Sequence, residues 1–246
     1  MSTHNYAGDR EYVVCDHESW LVPEVGPDGR INAVFCWGHE LQKEVAPPRA
    51  IPTVRAISPT GKRRCLKPAE GTAQFYLDDC DRENGVYRFI CEKSGCYSLD
   101  AMGRYINGSF RENPAAVSAT RYFQYAEAAM RVGGVGTRGP FAEPYLFPLR
   151  LESERLTDFH PGQSLWCRLW FAQEPLPLFD VAVSRRLPSG ETATDELITD
   201  GDGYLTLPLT EPGDYLATVQ KTTQEAAEHR YFDTSYAYTF WFRVEP

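Results

Sequence analysis

Ile31-Asn-Ala-Val-Phe-Cys-Trp-Gly-His-Glu40 is the stretch that decides how the rest of the chain is read. The run from Ile31 to Trp37 is short, mostly apolar and rich in branched and aromatic residues. That pattern is a buried β-strand rather than a helix, which would need a longer run at a 3.6-residue period. Gly38 stops the strand and delivers His39 to its end. A side chain there is fixed by a rigid element yet reaches solvent, which suits a ligand or a catalytic group.

The same rhythm continues in both directions. Upstream, Glu11 to Val14 begins a strand, Asp16-His17-Glu18 interrupts it, and Trp20-Leu21-Val22-Pro23 leads to a turn at Gly26-Pro27-Asp28-Gly29. Downstream, Val54 to Ser58, Thr72 to Leu77, Val86 to Cys91 and Cys96 to Leu99 are separated by turn residues. The turn Glu92-Lys93-Ser94-Gly95 would set Cys91 opposite Cys96 at a separation open to a disulfide, two packed thiols being the alternative. Alanines between Pro114 and Met130 favour helix, whereas Tyr122-Phe123-Gln124-Tyr125 favours strand. The reading is a short helical turn near Pro114 to Ala119 followed by a strand from Arg121 to Val132. Further strands are read at Tyr145 to Leu149, Ser164 to Phe171, Val181 to Arg185, Asp214 to Gln220 and Ala237 to Val244. A hairpin is read from Glu196 to Leu209 across Asp200-Gly201-Asp202-Gly203. Turn signals every eight to twelve residues mark a sandwich or barrel. The expectation is therefore an all-β protein of two β-sandwich-like domains, residues 1–143 and 144–246, with at most one short helix near 114–120.

Composition narrows the function. The 246 residues are 42% hydrophobic and 24% charged, with 18 prolines, 19 glycines and 13% aromatics, a profile of many short strands in a soluble domain. With a net charge of −9 and no basic run beyond Lys62-Arg63-Arg64, nothing neutralises phosphates, so no nucleic-acid partner is expected. A cation is the more natural guest. No apolar run is long enough to span a bilayer, so no direct membrane insertion is expected. The opening MSTHNYAGDREYVV has neither the basic nor the apolar region of a signal peptide, which points to the cytoplasm unless a leader has been removed. Seven cysteines without a CxxC pair argue against a zinc ribbon or a thioredoxin-like centre.

Enzyme motifs find no support. Gly134-x-Gly136-x-x-Gly139 is followed by Pro140, not by the helix that would hold a pyrophosphate. Asp200-x-Asp202 with Glu211 imitates a calcium loop, but Leu205 stands at its obligatory glycine. No Gly-x-Ser-x-Gly elbow occurs. No catalytic activity is expected.

His17 and His39 are the leading ligand pair. Neutral imidazole suits Ni²⁺, Co²⁺, Cu²⁺ or Zn²⁺, and Asp16, Glu18 and Glu40 are adjacent carboxylates able to ligate or to orient the rings. His229 stands with Tyr231 and Asp233 on alternate positions of an extended segment and is a further candidate. The proposed ligands are thus His17, His39, Asp16 and His229. Imidazoles more than about 8 Å apart cannot share an ion whose bonds run ~2 Å. The competing expectation is a structural or carbohydrate-binding sandwich, with Trp20, Trp37, Trp166, Trp170 and Trp241 supplying stacking surfaces.

Several segments together resemble a bacterial family of envelope proteins of unassigned function linked to nickel and cobalt uptake, the NikK/NikM-like accessory proteins. The matching pieces are HESWLVP from His17, the strand end WGHE, RYFQYAEAAMRVGG, the connector from Glu143 to Val183, TDGDGYLTLPLTEPGDYLATVQ and HRYFDTSYAYTFWFRV. The resemblance implies an Ig-like or prealbumin-like C-terminal sandwich, a periplasmic setting, and a role in handling a transition metal, with a membrane metal transporter as partner. In such proteins the first histidine lies near the mature N-terminus, where the free amine can join it as a ligand. Here His17 follows sixteen residues, so that amine is available only if the chain is cleaved before Asp16.

Overall fold

The computed structural model describes residues 17–44, 52–78, 82–134, 147–187 and 189–246. It is all-β, with no helix among the described residues. Strands are numbered in chain order and form three sheets. The N-terminal sheet contains β1 (Glu18–Val25), β2 (Ile31–His39), β3 (Gln42–Lys43), β6 (Lys67–Pro68) and β7 (Gln74–Tyr76). The central sheet runs β15 (Thr192–Ile198), β14 (Asp180–Arg186), β17 (Gly213–Thr223), β18 (Asp233–Val244), β10 (Ser118–Val132), β8 (Gly85–Leu99), β4 (Val54–Ile57), β5 (Arg63–Cys65). A short β9 (Tyr105–Asn107) pairs with the end of β8. The outer C-terminal sheet holds β11 (Leu149–Ser153), β12 (Gln163–Phe171), β13 (Glu174–Pro175) and β16 (Tyr204–Leu209).

The central sheet is covered on both faces, which its sequence dictates by alternation. On β18, Tyr236, Tyr238, Phe240, Phe242 and Val244 join one buried cluster with Leu165, Cys167 and Leu169 of β12. Trp241, pointing the other way, joins a second cluster with Trp20, Leu21, Phe35 and Trp37 of the N-terminal sheet. On β10, Tyr125 enters the first cluster and Ala126 and Ala128 the second. The result is three β-layers with two cores. The outer sheet and the C-terminal strands of the central one form a two-sheet, Ig-like sandwich. The two halves of the chain meet where β10 and β18 pair in parallel, from Thr120 opposite Asp233 to Ala128 opposite Trp241. The expected boundary at 143/144 lies outside the described residues.

Three local expectations are corrected. Cys91 and Cys96 lie on one continuous strand, β8, held along its length by β10. Five residues of extended chain separate them by roughly 17 Å, far beyond disulfide reach, and both thiols are free. Residues 114–117 are turns rather than a helix, and β10 begins at Ser118. The alanines that favoured a helix, Ala126 and Ala128, are instead fully buried in the sheet. Finally, β15 and β16 do not form a hairpin: β15 pairs with β14 in the central sheet and β16 with β12 in the outer one. The Asp200 turn carries the chain from one layer to the other, its Oδ1 accepting the Asp202 and Tyr204 N–H groups.

Candidate metal centre

The antiparallel register of β1 and β2 sets Glu18 opposite Gly38 and Val25 opposite Ile31. One further step places His17 across from His39. The ring centroids lie 4.5 Å apart with planes tilted by 40°, well within the distance at which two imidazoles can share an ion. His17 also stacks flat on the indole of Trp37, 3.8 Å between centroids and 8° between planes. Trp37 is buried, so it gives the His17 ring a rigid floor.

A third group arrives by a tight turn. Glu40 and Leu41 both have positive φ, 48° and 64°, the backbone signature of a type I′ hairpin turn. The turn folds β3 back on β2 with Gly38 opposite Lys43, and Glu44 N–H donates to the Trp37 carbonyl at 2.7 Å. Gly38 is required here: its φ is +150°, and an added Cβ would stand 2.0 Å from the Gln42 carbonyl oxygen. Glu44 thereby lies beside both histidines, Oε2 at 3.3 Å from His17 Nε2 and Oε1 at 3.7 Å from His39 Nε2.

His17, His39 and Glu44 can each present one ligand atom such that all three lie within 4.8 Å of one another. The donor set, two imidazoles and one carboxylate, is the chemistry of borderline divalent ions. Ligands of a tetrahedral ion with ~2 Å bonds stand ~3.3 Å apart, so the cluster needs only a small contraction. Glu44, half exposed, is free enough in its rotamer to supply it.

The cluster is anchored to the central sheet. Gln124 Nε2 donates to the His17 carbonyl at 2.7 Å, and its Oε1 accepts from the Ser19 hydroxyl at 3.1 Å. The Thr239 hydroxyl donates to the Ser19 carbonyl. Glu18 Oε2 accepts the Glu40 N–H at 2.8 Å and so braces the turn. Burial pushes the Glu18 carboxyl above its ordinary value, opposed in part by that hydrogen bond, by the Thr218 hydroxyl and by the field of His39.

Of the four ligands expected from sequence, the structure brings His17 and His39 together. Asp16 lies outside the described residues. His229 is not part of the cluster; it precedes β18 in an exposed segment, 89% accessible and beside Glu228. Glu44 was missed. Its signal is masked because Glu40-Leu41 lacks the Asn-Gly or Asp-Gly that normally announces a two-residue turn.

The family described as "Domain of unknown function (DUF4198)" matches residues 17–223, from His17 to the last residue of β17. The chain belongs to this family. No curated protein matches it. Among solved structures, this DUF4198 chain is similar to a tetra-tandem repeat in the extending region of a large adhesion protein, with 12% identity, a TM-score of 0.23, and coverage of 92% of this chain. It spans 48% of that structure, about half its length. It is also similar to the D0-D1 domain of intimin, at 13% identity and a TM-score of 0.26, covering 94% of this chain and 98% of that one. At these TM-scores neither likeness carries an argument about function.

Proposed function

We propose that this DUF4198 protein binds a divalent transition metal, or a small metal complex, through His17, His39 and Glu44, and acts by binding rather than by catalysis. The carrying observation is the convergence of three donor groups from β1, β2 and β3 within 4.8 Å of one another. A hairpin turn held by glycine brings Glu44 beside the rings, a buried indole supports the His17 ring, and three hydrogen bonds to the central sheet hold the start of β1 at His17 and Ser19. Such preorganisation is what a binding site requires. The resemblance to accessory proteins of nickel and cobalt uptake supports Ni²⁺ or Co²⁺ as the cargo, a periplasmic setting, and delivery to a membrane transporter.

Calorimetry with Ni²⁺, Co²⁺, Cu²⁺ and Zn²⁺ on the wild type and on His39→Ala tests the reading. Micromolar or tighter binding that is lost in the variant supports it. Heat that is indifferent to His39 ends it.

One observation favours a second reading, a carbohydrate-binding face. Trp166 is 60% and Tyr204 41% exposed on the outer C-terminal sheet, where Arg168 stacks over both Trp170 and Tyr204. A glycan array would reveal it, and Trp166→Ala would remove it.

A further inference from the structure

The face that the central sheet turns towards the N-terminal sheet changes character along its length. Around Tyr87, Phe89, Ala126, Leu216 and Trp241 it is apolar core. Two to six residues further along β10, β17 and β18, towards the point where β1 begins, the same face carries Gln124, Thr218, Gln220, Ser235 and Thr239 beside Tyr97 and Tyr122. Gln124, Ser235 and Thr239 are as buried as the core, at 7%, 6% and 3% accessibility. Burying polar groups costs free energy unless each is hydrogen-bonded. A sheet that needed only a core would carry aliphatic residues here, so the departure marks a place kept polar for use.

Part of this polarity is spent internally. Gln124 anchors His17 and Ser19, Thr239 holds Ser19, and Gln220 Nε2 donates to the Ser235 hydroxyl at 3.2 Å. What remains is a cavity of about 250 Å³, walled on one side by His17, Glu18 and Ser19 and floored by Ser235 and Ala237. Its volume is below the ~300–1,000 Å³ of drug-sized sites and equals that of roughly eight liquid waters. His17 belongs both to this wall and to the metal-ligand cluster.

We infer that the cavity seats the organic part of a metal chelate, a small amino- or hydroxy-carboxylate whose own donors complete the coordination of the ion held by His17, His39 and Glu44. Three protein ligands leave one to three positions open on a four- to six-coordinate ion. The lining offers hydroxyls, amides and the phenol rings of Tyr97 and Tyr122, and among the described residues Glu18 is its only acidic group. It therefore suits the uncharged, hydrogen-bonding portion of a ligand whose carboxylate is neutralised by the metal.

This inference rests on the metal reading, and the test separates the two. Equilibrium dialysis measures retention of L-histidine and, in a second arm, citrate, with and without Ni²⁺, on the wild type, Ala237→Leu, Gln220→Leu and His39→Ala. Calorimetry on each variant reports Ni²⁺ alone. At least tenfold tighter retention of one chelator when Ni²⁺ is present is expected for the wild type. Ala237→Leu, which fills the floor, is expected to lose that retention while binding Ni²⁺ as the wild type does. Gln220→Leu, at an exposed position, weakens it and serves if the leucine variant fails to fold. Chelators that strip Ni²⁺ from the protein, or retention unaffected by both cavity variants, would overturn the inference with the metal reading intact. Absence of Ni²⁺ binding to the wild type would bring down the metal reading itself.

Discussion

Arg88→Met is the sharpest probe of how the strands of the central sheet are held together. Arg88 on β8 and Glu127 on β10 are 4% and 2% accessible, facing the core shared with the outer sheet. The guanidinium clasps Glu127 Oε1 through Nε at 2.8 Å and through Nη2, while the Tyr238 hydroxyl on β18 donates to Oε2 at 3.0 Å. Three adjacent strands are thus tied at the junction of the two halves. Removing the arginine leaves a buried carboxylate without its cationic partner and with one hydrogen bond, a loss of about 3–5 kcal/mol. Unfolding entropy of ~2.1 cal/mol/K per residue, taken over the 246-residue chain as one cooperative unit, is about 0.5 kcal/mol/K. The expected fall in Tm is therefore about 6–10 °C. Urea and thermal denaturation at pH 7 measure it. Arg88→Met combined with Glu127→Leu removes both charges and is expected to regain most of the loss, because the penalty belongs to the orphaned charge and not to the missing pair. A single variant that loses less than about 1 kcal/mol, or a double variant no better than the single, would refute the reasoning.

Other outcomes follow from the same geometry. Gly38→Ala must move either the Gln42 carbonyl or the end of β2, so it is expected to weaken metal binding at least tenfold in calorimetry, with a lowered Tm. Metal affinity is expected to fall as the pH is lowered, since a proton and the ion compete for the same imidazole nitrogen; calorimetry from pH 5 to 8 checks the dependence, and an affinity indifferent to pH would contradict imidazole ligation. Glu18 has its folded-state carboxyl raised by burial, so the native chain holds more proton than the unfolded one above pH 4.5. Stability should therefore decline as pH rises from 4.5 through the folded value, and Glu18→Gln should flatten that decline in denaturation curves between pH 4 and 7.

Much of this architecture is legible in local patterns, and the failures share one cause. The β1–β2 hairpin, and with it the meeting of His17 and His39, follows from two apolar runs around a Gly-Pro-Asp-Gly turn. Glu92-Lys93-Ser94-Gly95 has the composition of a turn, yet the long β8–β10 ladder runs straight through it, because pairing over fifteen residues outweighs a weak local preference. Ala126 and Ala128 are small because the sheets are packed there, not because the segment is helical. The Asp200 turn is real, but only the tertiary structure shows that it changes layers. Glu44 enters the site through a hairpin whose turn residues carry no signal, and the polar face around Gln124 becomes visible only when four strands are laid side by side.

X-ray absorption at the K edge of bound Ni²⁺ looks at the coordination shell itself. Two imidazoles in the first shell, shown by their multiple-scattering pattern at about 2 Å, together with oxygen neighbours, are expected for the wild type, falling to one imidazole in His17→Ala and in His39→Ala. A shell without imidazole, or one that neither substitution alters, would contradict a metal centre at the meeting of β1, β2 and β3.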